Sequence, residues 1–451
     1  MKTTEDTIAA ITTAPGDAAI SAIRISGQDA LLIANKIFTC NVEKIASHTA
    51  KYGKILSKEG QALDHVLLLV MRNPKSYTGE DTVEIFCHGG RVGTQKILDR
   101  IIEAGARNAG PGEFSLRAFL NGKIDLAQAE AVQGLIHAQN DLSFNAAESH
   151  LDGTLSKCIH SFQKNLTDIA AILEAWVDFP EEGLEFASQD EILNQLTLIQ
   201  NEIRQLTETF HDGKIMKEGI SLSLIGVPNV GKSSLMNALL GKDRAIVTDE
   251  AGTTRDLIEE DLRIGKLHFR LIDTAGIRKT DKAIEQEGIK RSKEVLKKAD
   301  LVLFVISASS EETPEERELL KLTDPKKTLL IWNKIDLKAP KRAYDFPFTA
   351  HISAKNHMGI DELKKTIDQM IWKKGPPEKG QLMIVEIRHK HALESALTHI
   401  DAVKKGLLEE LSCEIISEEM KLALHALSEI IGTNVSEDIL SSIFSKFCVG
   451  K

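Results

Sequence analysis

The chain has 451 residues and a formal charge of −10, from 56 Lys and Arg against 66 Asp and Glu. That acidic total excludes a surface coated throughout for nucleic acid and confines any RNA contact to one face; with 42% hydrophobic and 27% charged residues, the chain reads as a globular protein of about two to four domains. The five cysteines (Cys40, Cys87, Cys158, Cys413 and Cys448) form no CxxC pair, which argues against zinc and for a reduced, cytoplasmic protein. No apolar run approaches the ~18 residues of a membrane span, and the opening MKTTEDTIAAITTAPGD does not read as a secretion signal.

Residues 1–121 mix short apolar runs with Gly and Pro turns. AISAIRIS (19–26), DHVLLLVM (64–71) and TVEIFCHGG (82–90) read as strands, and GTQKILDRIIEAG (93–105) as a helix, which makes an α+β domain. From about residue 122 the period changes. Leu151, Leu155, Ile159, Phe162, Leu166, Ile169, Leu173 and Trp176 form the stripe of one long amphipathic helix, ended by Pro180. A second stripe, Ile192, Leu196, Ile199, Ile203, Leu206 and Phe210, would make a hairpin with it. Residues 217–376 alternate charged helical stretches with apolar strands, ISLSLIG, FRLIDTAG, LVLFVIS and TLLIWNK, as a parallel α/β sheet does. GPPEKG (375–380) closes that region, and helical spacing returns over 377–451 in HALESALTHIDAVKKGLLEEL and EEMKLALHALSEIIG. The matching patterns predict that these last helices pack on 122–216. The fold class expected is thus α/β and α+β multidomain, with a discontinuous helical domain carrying an inserted Ras-like α/β domain.

The strongest chemical signal is GVPNVGKSS at 226–234, which fits GxxxxGK[ST] between a strand and a helix. Its glycines let backbone N–H groups curl round phosphates at a positive helix end. Lys232 would reach the β- and γ-phosphates, and Ser233 would hold magnesium. GTTRD (252–256) suits a switch loop closing over the γ-phosphate, with Thr254 completing the magnesium shell and Thr253 facing the metal or phosphate region. In DTAG, Asp273 would meet magnesium through water and the Gly276 N–H would sense the γ-phosphate. In NKID (333–336), Asp336 would accept from guanine N1 and N2, a donor pair adenine lacks; SAK (353–355) would support O6. The expected GTP contacts are Asn229, Val230, Gly231, Lys232, Ser233 and Ser234; Thr248, Asp249, Glu250, Ala251, Gly252, Thr253 and Thr254; Asp273, Thr274, Ala275 and Gly276; and Asn333, Lys334, Asp336, Ser353, Ala354 and Lys355.

The residue after DTAG is Ile277, where Ras-like enzymes carry a water-orienting Gln. Water must be placed otherwise. Glu285 and Glu287 are available carboxylates and Arg278 a nearby cation; each also suits a solvated helix face. Asn229 offers a neutral oxygen that could help bind a monovalent cation in place of an arginine, although such an Asn more often only shapes a turn.

PNVGKSS, TDEAGTTRD and DTAGIR resemble the TrmE-Era-Der group of GTPases. With APGDAAISAIRISG, YTGEDTVEIFCHGG, PGEFSLRAFLNGKIDLAQAEAV and FCVGK, the chain resembles from end to end the MnmE (TrmE) family of tRNA-modification GTPases. That resemblance implies an N-terminal tetrahydrofolate-binding and dimerisation domain, a homodimer, and a heterotetramer with the flavoprotein MnmG. Together they would install an aminomethyl-type group on carbon 5 of the wobble uridine of certain tRNAs. It implies Mg2+ at Ser233 and Thr254, K+ at Asn229, Thr248, Glu250 and Thr253, and Glu285 orienting the hydrolytic water. It also implies that 5,10-methylene- or 5-formyl-tetrahydrofolate binds at Arg24, Glu84, Lys123 and Lys451, and that Cys448 serves the modification. Val449 departs mildly from the Ile or Leu usual after that Cys. A ribosome-assembly switch would carry an RNA-binding segment or second G domain, which the sequence lacks; a folate transferase merely carrying a GTPase is the other alternative.

Overall fold

The structure is a computed structural model that describes residues 6–178, 188–240, 260–264, 267–272, 296, 298–372, 375, 377, 378 and 380–451. The chain divides into two compact units, one of Met1–Ile136, His150–Gln200 and Ala392–Lys451, the other of His137–Ser149 and Asn201–His391.

The first unit opens with a six-stranded sheet of β1 (Ile8–Ile11), β2 (Ile20–Ser26), β3 (Thr49–Leu56), β4 (Ala62–Met71), β5 (Thr82–His88) and β6 (Arg107–Asn108), in the order β3-β4-β5-β2-β1-β6. Every pairing is antiparallel except β1 with β6. Alternation decides the faces. Ile23, Ile25, Val83, Ile85, Leu68 and Val70 point to one side and bury against helices α1 (Ala30–Ile37) and α2 (Arg91–Ala104). The other side carries Arg24 opposite Glu84, and the row Tyr52–Leu67–Phe86–Ala22.

The chain continues through α3 (Glu113–Leu120), α4 (Leu126–Ile136) and α5 (Asp141–Leu151) to α6 (Thr154–Asp178). The stripe read as one helix from Leu151 is broken: α5 ends at Leu151, and Gly153, at φ +77°, turns the chain before α6 starts. Left-handed backbone at a glycine stops a helix more effectively than an apolar period extends it. After α6 come α7 (Gln189–Glu208), α8 (Phe210–Glu218) and, in the second unit, the G-type sheet. Phe210, counted in the second stripe, opens α8 instead.

That second sheet holds β7 (Ile220–Ile225), β8 (Glu260–Ile264), β9 (Leu267–Leu271), β10 (Leu301–Ser307), β11 (Thr328–Asn333) and β12 (Thr349–His351), in the order β12-β11-β10-β7-β9-β8. All pairs are parallel but β8–β9. β10 and β11 are buried along their whole length, which is why they read as unbroken apolar runs. Helices α9 (Lys232–Leu240), α10 (Pro314–Leu322) and α11 (Ile360–Ile371) belong to the same unit.

The chain ends in α12 (Ile387–Leu408), α13 (Cys413–Ile431) and α14 (Glu437–Phe444). α13 returns to the first unit and is the main neighbour of α6, a place the hairpin reading had given to α7. Leu155, Ile159, Phe162, Leu166, Ile169 and Leu173 of α6 are buried, as are Met420, Ala423, Leu427 and Ile430 of α13; each large side chain so covered contributes about 1.5–3 kcal/mol. α7 is tied to α12 through the buried Gln200, whose amide donates to Asp401 and whose oxygen accepts from Lys404 Nζ at 3.0 Å. The helical domain is therefore discontinuous in sequence, with the nucleotide-type sheet inserted. No helix among the described residues is long and apolar enough to cross a membrane.

Within the second unit, the segments entering and leaving the inserted sheet are clasped. The Thr209 hydroxyl accepts the Ile384 N–H at 3.0 Å, Lys217 pairs with Glu386, and a Cβ on Gly213 would lie 2.1 Å from the Ile384 carbonyl oxygen. Gly213→Ala sets two effects against each other. Alanine favours a helix interior by roughly 0.5–1 kcal/mol, and overpacking against backbone costs about 1–3 kcal/mol. The clash is with main chain and cannot be relieved by a rotamer, so urea unfolding is expected to show net destabilisation; equal or greater stability would mean that the clasp is loose.

Candidate functional site

Parallel sheets bind ligands where the strand order reverses, beyond the carboxyl ends of the strands. Here the reversal lies at β7, flanked by β9 and β10. The segments GVPNVGK, NKID and SAK leave the carboxyl ends of β7, β11 and β12, so the fold brings the phosphate and base motifs to one edge.

The phosphate loop is shaped by close approach. A Cβ on Gly226 would sit 2.3 Å from the Val305 carbonyl oxygen, and one on Gly231, at φ +99°, 2.3 Å from Asn333 Nδ2. Asn229 takes a left-handed φ of +64°, which Asn tolerates better than most residues. Lys232 opens α9, and its ammonium donates to the carbonyls of Gly226 (2.6 Å) and Val227 (3.1 Å), folded back over the loop. Burial pushes its pKa down, partly offset by Glu315; an arriving triphosphate would supply the anion that burial denies it. Ser233 and Ser234 are exposed at the start of α9, free to face a metal-bound phosphate.

The base side is joined to the phosphate side through Asn333. Its Nδ2 donates to the Val230 carbonyl at 2.9 Å, and its Oδ1 accepts the Ala354 N–H at 3.0 Å. Lys334, at φ +64°, sends its ammonium to the Asn229 carbonyl at 2.6 Å. Asp336 and Lys355 are exposed, and the Ser353 backbone pairs with Met358 across the SAK turn. Thr248, Asp249, Glu250, Ala251, Gly252, Thr253, Thr254, Asp273, Thr274, Ala275, Gly276 and Glu285 lie outside the described residues.

A second constellation sits on the first unit. Arg24 Nε donates to Glu84 Oε1 at 2.8 Å across the β2–β5 pair, and the guanidinium lies over the rings of Tyr77 (5.3 Å) and Phe114 (5.5 Å). Sequence reasoning missed both aromatics. Burial raises the Tyr77 pKa, and its hydroxyl meets Ser115 at 2.8 Å. The C-terminal tail docks alongside: the Phe114 N–H donates to the Lys451 carbonyl (3.1 Å), the Gly112 N–H to that of Cys448 (3.4 Å), and Pro111 bridges to Val449. Cys448 is exposed. Lys123 reaches the Pro74 carbonyl at 2.9 Å, with its stem against Gly79 of the turn that carries Tyr77. Arg24 thus lies over the Phe114 ring with Glu84 on its guanidinium, the Lys451 main chain meets the Phe114 amide, and Lys123 braces the adjoining turn. Nearby lies a cleft of about 820 Å3 lined by Ile11, Thr13, Arg91, Gln95 and Val449 among others. None of the four residues expected to bind folate lines it.

A phosphate-loop G domain inserted in a split helical domain behind an N-terminal sheet defines a multidomain GTPase. Residues 126–448 match the family model described as MnmE helical domain, and residues 7–123 that described as GTP-binding protein TrmE N-terminus. The chain is similar along its length to proteins described as tRNA modification GTPase MnmE, among them the following. That of Protochlamydia amoebophila is 53% identical over 99% of this chain and 98% of its own. Those of Chlamydia felis and Alkaliphilus oremlandii are 43% and 42% identical, each over 99% of both chains. The chain belongs to the MnmE family of tRNA modification GTPases.

Asn333→Ala removes the buried bond from the NKID loop to the phosphate loop and the one from the SAK loop to Asn333, leaving the exposed Lys334–Asn229 bond. Each lost bond with its stranded buried partner costs about 1–3 kcal/mol, so GTP and GDP affinity is expected to fall at least tenfold in fluorescent-nucleotide titration; a change under twofold would remove Asn333 from the site's framework.

Proposed function

We propose that this chain is a potassium-stimulated GTPase that works with the flavoprotein MnmG to add an aminomethyl or carboxymethylaminomethyl group to carbon 5 of the wobble uridine in certain tRNAs, drawing the carbon from a tetrahydrofolate. The observation that carries the reading is that two sites of different chemistry stand on one chain: a phosphate-and-base cradle on the second unit, and an Arg–Glu pair between two aromatic rings, beside a docked Cys-bearing tail, on the first.

At the first of these, GTP with Mg2+ supplies the phosphoryl group whose transfer to water is the reaction. The backbone of 229–233 would wrap the phosphates, Lys232 would exchange its loop carbonyls for the β- and γ-oxygens, and Ser233 with Thr254 would hold Mg2+. Asn229, with Thr248, Glu250 and Thr253, would hold K+, whose charge would stand where other GTPases use an arginine. Glu285 orients the water that Ile277 cannot. Asp336 reads guanine.

The folate reading is supported by the donor set. Glu84, held in place by Arg24, can accept from pterin N–H groups, the partly exposed Tyr77 offers a flat face, and Lys123 and Lys451 offer cations for the glutamate tail. A 5,10-methylene- or 5-formyl-tetrahydrofolate there would provide the one-carbon unit, with Cys448 beside it. Homodimerisation through the N-terminal domains is supported by the exposed Ile20, Tyr52 and Leu67 on the sheet side opposite its helices. We place the protein in the cytoplasm, with tRNA and MnmG as partners.

GTP turnover in potassium should exceed that in sodium by tenfold or more and fall a hundredfold or more in Glu285→Ala, read as phosphate release. Equal rates in both salts would mean that an external activator replaces the ion. Independently, Glu84→Gln is expected to weaken 5-formyl-tetrahydrofolate binding at least tenfold by calorimetry with GTP turnover unaltered; unaltered folate affinity would remove the Arg24–Glu84 pair from that site.

A further inference from the structure

The tail meets the first unit through main-chain groups of residues 111–114, so its place depends on how that loop is held. Glu113 holds it. Its Oε2 accepts the Gly110 N–H at 2.8 Å, while Arg107 reaches both carboxylate oxygens, at 3.0 Å and 2.6 Å. Arg117, 2% exposed, adds a bond to Oε1 at 3.1 Å and is itself fixed by Asp6 (2.7 Å) and Glu80 (3.2 Å). Gly112 stands at φ +64°, where a Cβ would lie 2.6 Å from the Phe444 carbonyl oxygen; Gly450, at φ +99°, leaves 2.5 Å to that of Ile11. The docked geometry therefore has little slack on either side.

We propose that Glu113, gripped by Arg107 and Arg117, is a positioning residue: it locks loop 110–113 in the conformation that receives the C-terminal tail, and through the tail it sets where Cys448 and Lys451 stand relative to Arg24 and Glu84. Glu113 touches neither nucleotide nor folate in this scheme. Its charge satisfies two arginines while one oxygen pins a backbone amide, which a neutral or shorter side chain would do only in part. The functional consequence rests on the folate reading above; the clamp itself does not.

The test compares Glu113→Ala and Glu113→Gln with wild type in the full chain. Hydrogen exchange is followed at the amides of 112–114 and 446–451, and 5-formyl-tetrahydrofolate is titrated by calorimetry, also in Lys451→Ala and in the Glu113→Ala/Lys451→Ala double variant. Exchange at the tail amides should rise at least tenfold in Glu113→Ala and less in Glu113→Gln, with GTP turnover within twofold of wild type as evidence that the chain is folded. Folate affinity should fall in Glu113→Ala, and the loss should largely vanish when Lys451 is already Ala, the non-additivity expected of residues acting through one another. Unchanged tail exchange would overturn the clamp, and fully additive losses would overturn its action through the tail. If wild type bound no folate, the folate reading would fail, and tail exchange would still decide the clamp.

Discussion

The nucleotide site depends on one buried side-chain amide. Asn333 donates to the phosphate loop at Val230 and accepts from the SAK loop at Ala354. Three loops from three strands would otherwise rest on the exposed Lys334–Asn229 bond and the backbone bond from Ile335 to Ile352. A buried amide with both ends satisfied is a rigid strut, because leaving either end unpaired costs more than the bond itself returns. The phosphate loop packs so closely on this strut that any side chain at 231 would collide with it. Glycine there serves the fold as well as the phosphates.

The first unit uses the same device in another form. Its ring of opposite charges, Arg107 and Arg117 against Asp6, Glu80 and Glu113, lies next to main-chain bonds that carry the tail. Burial works against the Glu113 carboxylate, yet the bonds from Arg107, Gly110 and Arg117 hold its pKa below the ordinary range. Because the folded value is depressed, this contribution is present above the unfolded carboxylate pKa and is lost as pH falls through the folded one. Breaking such a partly buried pair from one side leaves an uncompensated charge, so it fixes geometry more surely than it adds stability.

Chain elements were legible where one period governed them. β7, β10 and β11 are short apolar runs bounded by polar segments, and α6 and α7 carry clear stripes. β1 is four residues of Ile and Ala, β3 mixes Lys, Tyr and Gly, and β6 is two residues long; these strands exist because neighbours pair with them, and no local pattern announces them. Gly153 outvoted the stripe that crosses it. The nucleotide motifs were legible because phosphate loops are local. Tyr77 and Phe114 were not, since their meaning comes from Arg24, which reaches them only once the sheet has formed.

An inserted domain leaves its host at two points, and the sequence between them is free to vary only if those points stay together. Here Thr209, Gly213 and Lys217 on the way in meet Ile384 and Glu386 on the way out, by a hydrogen bond, a backbone contact without room for a methyl group, and an ion pair. The separation of the two ends is thus fixed inside the second unit by its own contacts. α7 and α12, which follow from those ends, are joined again in the first unit through Gln200, Asp401 and Lys404. The split helical domain can therefore close its core over α6 and α13 although its two halves are far apart in sequence. Insertion adds a long loop, whose closure entropy grows only slowly with length, and the clasp keeps even that cost out of the helical core.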